Sequence, residues 1–118
     1  MKRVVLDTNA LLMPFEFSIN IDIELKSLLG DCEIFVPGPV IGELKRSKNK
    51  YAKVALALAS KYKLYPMATQ GDAGVIQSAK ELDAYVVTND FPMQKKLKAQ
   101  GIRPIFLRSK NHLHLDEF

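Results

Sequence analysis

The chain has 118 residues, 47% of them hydrophobic and 25% charged, with a formal net charge of +4. That length suits one compact domain and leaves little room for a second. No apolar run nears the roughly 20 residues a membrane-spanning helix needs, Met1-Lys2-Arg3 is charged too early for a secretory signal, and the lone Cys32 excludes an internal disulfide and a cysteine-based zinc cluster. A cytoplasmic protein without a membrane partner is expected.

Arg3-Val4-Val5-Leu6 reads as a buried strand, closed by Asp7, which suits the N-cap of a short helix from Thr8 to Met13. Ile21 to Leu29 places Ile21, Leu25, Leu28 and Leu29 on one helical face, and Gly30 supplies the stop. A strand follows over Glu33-Ile34-Phe35-Val36, then a helix from Pro39 to Arg46 with its proline in the first turn. Tyr51 to Tyr62 is rich in Ala and Leu and is the best helix former in the chain, and Lys63 to Pro66 is a weaker strand. A helix spans Asp72 to Leu82, a strand Ala84 to Thr88, a helix Phe91 to Gln100 ending at Gly101, and a strand Pro104 to Leu107. Residues 109–118 read as a polar C-terminal tail or edge extension, with His112 and His114 on its surface, and Met13, Met67 and Met93 read as core filler.

Strands alternating with helices predict a single α/β domain over 1–118, with a parallel sheet covered on both faces. Open sheets of this kind bind ligands at the carboxyl ends of their strands. Asp7 follows the first strand directly, and Asp90 follows the strand that ends at Thr88. If those strands are neighbours their backbones lie ~4.8 Å apart, so the two carboxylates share one space. Like charges that close raise a pKa or require a cation, and a hard divalent ion with oxygen ligands answers that need. Asp72, at the start of its helix, and Glu43, on the helix after the second strand, are candidates for the same edge.

Each acid also has a plainer reading. Asp7, Asp72 and Asp90 all stand where an N-cap or turn residue belongs, and Glu43 is spaced to pair with Arg46. Four such coincidences at one sheet edge are less economical than one shared site.

Positive charge gathers in two stretches, Lys45, Arg46, Lys48, Lys50 and Lys53, and then Lys95, Lys96, Lys98, Arg103, Arg108 and Lys110. They are either solvated faces or a track for a phosphate backbone. If the first flanks the helix of Glu43, then Lys45, Arg46 and Lys48 guide a nucleic-acid backbone toward the acids. No phosphate-cradling glycine loop follows a strand, no Ser-His-Asp or Cys-His set is evident, and the receiver-type adjacent acid pair is missing after Leu6.

The string Val4-Val5-Leu6-Asp7-Thr8-Asn9-Ala10-Leu11-Leu12 resembles the opening of PIN-domain nucleases. Pro37-Gly38-Pro39-Val40-Ile41-Gly42-Glu43-Leu44, Gly71-Asp72-Ala73-Gly74-Val75-Ile76-Gln77-Ser78-Ala79 and Val86-Val87-Thr88-Asn89-Asp90 resemble its later segments, in the right order. The resemblance implies a three-layer α/β/α sandwich around a five-stranded parallel sheet. It places Asp7, Glu43, Asp72 and Asp90 on the acidic positions, as catalytic residues and ligands of Mg²⁺ or Mn²⁺. Asn9, Thr88 and Asn89 fall on positions that organise the pocket. It further implies endoribonuclease activity leaving 5′-phosphate and 3′-hydroxyl ends. Leu12-Met13-Pro14-Phe15 looks most like the archaeal Fcf1-like branch that processes ribosomal RNA. VapC-type toxin ribonucleases, which act beside an antitoxin protein, share the same motifs, and a non-catalytic RNA-binding assembly protein is a third reading. PIN-like domains often pair, so a homodimer is a further expectation. One departure stands out: Ala73 and Gly74 follow Asp72 where many relatives carry a second acid.

Overall fold

Val4, Val5 and Leu6 are apolar on successive positions, so a strand built from them needs cover on both faces. All three are fully buried in β1 (Lys2–Leu6), in a computed structural model that describes residues 1–109 and 111–116. Around β1 lie β2 (Cys32–Pro37), β3 (Lys63–Tyr65), β4 (Tyr85–Val87), β5 (Pro104–Ser109) and β6 (His112–Leu115). They form one sheet in the order β3-β2-β1-β4-β5-β6. The first five are mutually parallel, whereas β6 runs antiparallel to β5.

Strand order runs outward from β1 to β2 and β3, then restarts on the other side with β4 and β5. The boundary between β1 and β4, where Leu6 stands opposite Val87, is therefore a topological switch point. Connections depart from it in opposite directions, which opens a crevice beyond the carboxyl ends of these two strands.

Among the described residues six helices complete the sandwich: α1 (Thr8–Glu16), α2 (Ile21–Leu29), α3 (Gly38–Arg46), α4 (Ala52–Ala59), α5 (Gly71–Leu82) and α6 (Phe91–Ala99). Their apolar stripes join the sheet in one core, to which α1 contributes Ala10 to Met13, α2 Ile21, Leu25 and Leu29, and α6 Met93 and Leu97.

The expected α/β/α architecture with five parallel strands is present, with differences at its margins. α1 runs three residues past Met13 and carries Pro14 inside. The proline costs one backbone bond, but burial of Leu11, Leu12 and Met13 just before it holds the turn. α4 is shorter than its Ala-rich sequence suggests. Asn49 accepts the Tyr51 amide in a side-chain turn at the start, and Lys61 and Tyr62 close a tighter turn onto Leu58 and Ala59 at the end.

Of the segment expected as a tail or edge extension, His112–Leu115 forms the edge strand β6. Leu113 is buried, and Glu24 of α2 accepts both the Leu113 amide at 3.0 Å and the His112 ring at 3.4 Å. His114 lies 6.4 Å from the Phe106 ring. Met13 and Met93 are core residues, but Met67 is only half-buried in the loop before α5 and is not core filler. Lys110, counted in the second basic stretch, lies outside the described residues.

Candidate active site

Asp7 is the first residue past β1, so its side chain emerges at the switch point. Its Oδ1 accepts the Ala10 amide at 2.9 Å, capping α1. The carboxyl group is 9% exposed and is pushed up to about 7, first by burial. Hydrogen bonds from the Thr88 hydroxyl and the Ala10 amide work in the opposite direction, and the nearby charges of Asp72 and Asp90 raise it further. Capping and site membership are thus not alternatives for this residue.

Thr88 follows β4 and is fully buried. Its hydroxyl serves Asp7 and also accepts the Asp90 amide at 3.2 Å, so one side chain ties together the two acids at the strand ends. Gln94 of α6 donates to the Thr88 carbonyl at 3.3 Å. Asp90 occupies the N-cap position of α6 but makes no side-chain cap bond, which leaves its carboxylate turned to other use. Asn9 accepts the Asn89 amide at 2.9 Å, and Asn89 in turn accepts the Leu107 amide at 3.1 Å. The asparagines therefore lace α1, the turn after β4 and strand β5 into one frame around the acids.

Asp72 lies in the first turn of α5, not at its cap. Gln70 holds the cap position, without a side-chain bond. The sequence disguises this because Gly71 adopts φ +65 and lets the chain enter the helix with its cap two residues before Asp72. At a helix N-terminus the Asp72 charge is favoured by the helix dipole, and Lys96 of α6 pairs with it at 3.4 Å. Gly74 has a separate demand: a Cβ there would fall 1.9 Å from the Thr69 carbonyl oxygen. The loop before α5 presses directly on the helix backbone at Gly74, so no acid fits at that position.

Glu43 is exposed in the middle of α3 and forms no ion pair with Arg46 among the described residues. Arg46 instead lays its guanidinium back along the helix beside Gly42. All four acids line one cleft of about 290 Å3, together with Thr8, Asn9, Pro39 and Ser47. A larger groove of about 750 Å3 lies among Arg3, Lys80, Tyr85 and Arg103, near the amino ends of β1 and β4, and none of the four acids reaches it. The smaller cleft is the one at the switch point.

This arrangement agrees with the comparisons to other proteins. A family model described as a PIN-like domain matches residues 4–110. The chain belongs to that family. Ribonuclease VapC4 of Methanocaldococcus jannaschii is 32% identical over 127 residues, an alignment spanning 98% of this chain and 97% of its own. The solved PIN-domain endonuclease Utp24 superposes with a TM-score of 0.85 at 18% identity, over 98% of this chain and 92% of that one. A domain of a functionally unknown protein from the same methanogen gives a TM-score of 0.68 at 23% identity, over 92% and 93% of the two chains. The structural likenesses establish the PIN-like fold, and the sequence match makes the chain a homologue of a ribonuclease.

Within this PIN-like frame, the sequence-predicted residues divide into two groups. Asp7, Glu43, Asp72, Asp90 and Asn9 line the cleft, and Thr88 and Asn89 stand immediately behind it. Lys45 and Arg46 are exposed in the last turn of α3 and Lys48 just beyond, flanking the cleft residue Ser47 without lining the cleft. No described group of three or more acidic, cysteine or histidine side chains is drawn together as a ready-made metal cage. The donors nevertheless suit Mg²⁺ or Mn²⁺: they are hard oxygens, one is held against its own ionisation by burial, and Mg²⁺ commonly takes only one or two carboxylates beside water and phosphate oxygens. The sequence offers Lys96 only as part of a basic stretch and does not single out Gln94, because their contacts with Asp72 and Thr88 join residues far apart in the chain. Gly74 did leave a signal, a glycine inside a helix, which marks close backbone approach.

Proposed function

We propose that this PIN-family protein is a divalent-metal-dependent endoribonuclease acting through Asp7, Asp90, Asp72 and Glu43. The observation that carries the reading is Asp7 itself. A carboxyl group raised to about 7, in a cleft with three further acids, is costly to maintain unless a cation takes up the charge. Asp7 and Asp90 hold the ion, Mg²⁺ or Mn²⁺, while Asp72 and Glu43 complete its shell or orient the attacking water. The bound ion supplies a Lewis-acid centre that makes water a stronger nucleophile at neutral pH and offsets charge on the scissile phosphate. Thr88 fixes the Asp7 rotamer and, through the Asp90 amide, the start of α6. Asn9 and Asn89 hold the adjoining turn, and Lys45, Arg46 and Lys48 bind the phosphate backbone outside the cleft.

RNA as substrate rests on the VapC4 relative, which is a ribonuclease. That relative also favours a toxin role, in which a small antitoxin protein is the physiological partner. A part in ribosomal RNA processing is supported by the Leu12-to-Phe15 segment alone. We read the 118 residues as one catalytic unit, able to pair with a second copy.

End-labelled single-stranded RNA incubated with the protein and Mg²⁺ or Mn²⁺ tests the reaction. The expected fragments carry 5′-phosphate and 3′-hydroxyl ends. Fragments ending in 2′,3′-cyclic phosphate would contradict hydrolysis by an activated water. Growth arrest on expression, relieved by a neighbouring small gene, would favour the toxin role over RNA processing.

A further inference from the structure

Phe91 begins α6 immediately after Asp90, and 63% of it is exposed to solvent. The core face of this helix is made by Met93 and Leu97, four residues apart, and Phe91 lies off it. Single exposed apolar residues are common on protein surfaces. Phe91 differs by being aromatic, one residue beyond an acid that lines the cleft, and already paired with a cation. Lys95, one helical turn on, places its Nζ 5.0 Å from the ring centroid. Lys96, the next residue, sets its ammonium group 3.4 Å from Asp72 at the cleft. The sequence Phe91-Pro92-Met93-Gln94-Lys95-Lys96-Leu97-Lys98-Ala99 holds no acid, so this helix presents only positive charge beside an acidic cleft.

An acidic cleft repels the phosphate chain it must receive, and surrounding cations and stacking surfaces have to offset that repulsion. Single-stranded RNA is held by aromatic platforms with basic residues tracking the backbone. We propose that the first turn of α6 is a stacking platform for an unpaired RNA base next to the scissile phosphate, with Phe91 as the surface, Lys95 behind it and Lys96 meeting the adjoining phosphate. The proposal rests on the ribonuclease reading of the cleft and adds to it the side from which the strand enters. It assigns α6 a role distinct from that of Lys45, Arg46 and Lys48 on α3.

The chain has no tryptophan, so Phe91→Trp introduces a sole indole at the platform. With Asp7→Asn added to prevent cleavage, this variant is titrated with a single-stranded RNA ten-mer and with a ten-mer of abasic residues. Stacking predicts that the base-bearing strand quenches indole emission and the abasic strand does not. In anisotropy measurements with the same labelled RNA, Phe91→Ala should bind roughly ten-fold more weakly than the wild type, about 1.4 kcal/mol, while Phe91→Trp retains affinity. RNA binding without quenching, or Phe91→Ala binding as tightly as wild type, overturns the platform. Cleavage of the same ten-mer by the otherwise wild-type protein reports the ribonuclease reading separately. Cleavage without quenching defeats the platform alone, quenching without cleavage defeats the enzyme reading alone, and neither binding nor cleavage defeats both.

Discussion

The buried Thr88 hydroxyl donates to the Asp7 carboxylate, joining residues that stand at the carboxyl ends of adjacent strands. The bond favours the ionised acid against a burial that disfavours it. Thr88→Val keeps the shape and removes the donor, so Asp7 should become harder to ionise. We expect the acidic limb of the cleavage pH profile to move alkaline by about one unit, the size of a hydrogen bond to a charged group. An unmoved limb with a uniformly lower rate would show that Thr88 only packs.

Asp7 also sets a stability cost. Its folded value of about 7 lies above the ordinary 3.8, so between those values the folded protein retains a proton that the unfolded chain has lost. The stability that Asp7 contributes to the metal-free protein is therefore full below about pH 4, declines as pH rises through this window, and is lost above about 7. Asp7→Asn removes the charge while keeping a good N-cap for α1. The variant should melt several degrees above wild type at pH 8 and show little gain at pH 4, where wild-type Asp7 is neutral in the fold. Thermal melts at both pH values, in the presence of chelator, check this. A loss of stability at pH 8 would mean that the buried carboxylate is already compensated without metal.

The parts of this site visible in the sequence are those set by local rules. An all-apolar triplet before Asp7 marks a central strand and puts that acid at its carboxyl end. The Thr88-Asn89-Asp90 string after a second such strand does the same. The position of Asp72 follows no local rule, because Gly71 and a neutral Gln70 take over the capping turn. The Lys96 contact with Asp72 and the Glu24 contacts that hold β6 join separate elements, and no local pattern encodes them. Pro14 inside α1 shows burial overriding a backbone preference.

Gly74 fixes the approach of the Thr69 loop to α5, and with it the setting of Asp72. Gly74→Ala would gain helix propensity on an unconstrained helix. Here its Cβ would meet backbone at 1.9 Å, so one segment must move. A loss of about 2–3 kcal/mol in denaturant unfolding is expected, as for other overpacked sites, together with reduced cleavage. A stabilised variant would show that the loop yields freely.

Lys45, Arg46 and Lys48 are exposed and flank the cleft residue Ser47 without lining the cleft. Replacing all three with Ala should weaken RNA binding and reduce the slope of log affinity against log salt by about 2, near 0.7 per lost contact on a single strand. Mn²⁺ binding measured by calorimetry should be unchanged. An unaltered salt slope would place the RNA elsewhere.

The most direct test of the metal-centred site compares cleavage of single-stranded RNA by the wild type with Mg²⁺ or Mn²⁺, by the wild type with EDTA, and by a folded Asp7→Asn variant. Activity should appear in the first case alone, with the variant reduced at least about 100-fold, a loss of roughly 2.7 kcal/mol of transition-state stabilisation. Cleavage that survives both EDTA and Asp7→Asn would contradict an acidic, metal-dependent active site at the end of β1.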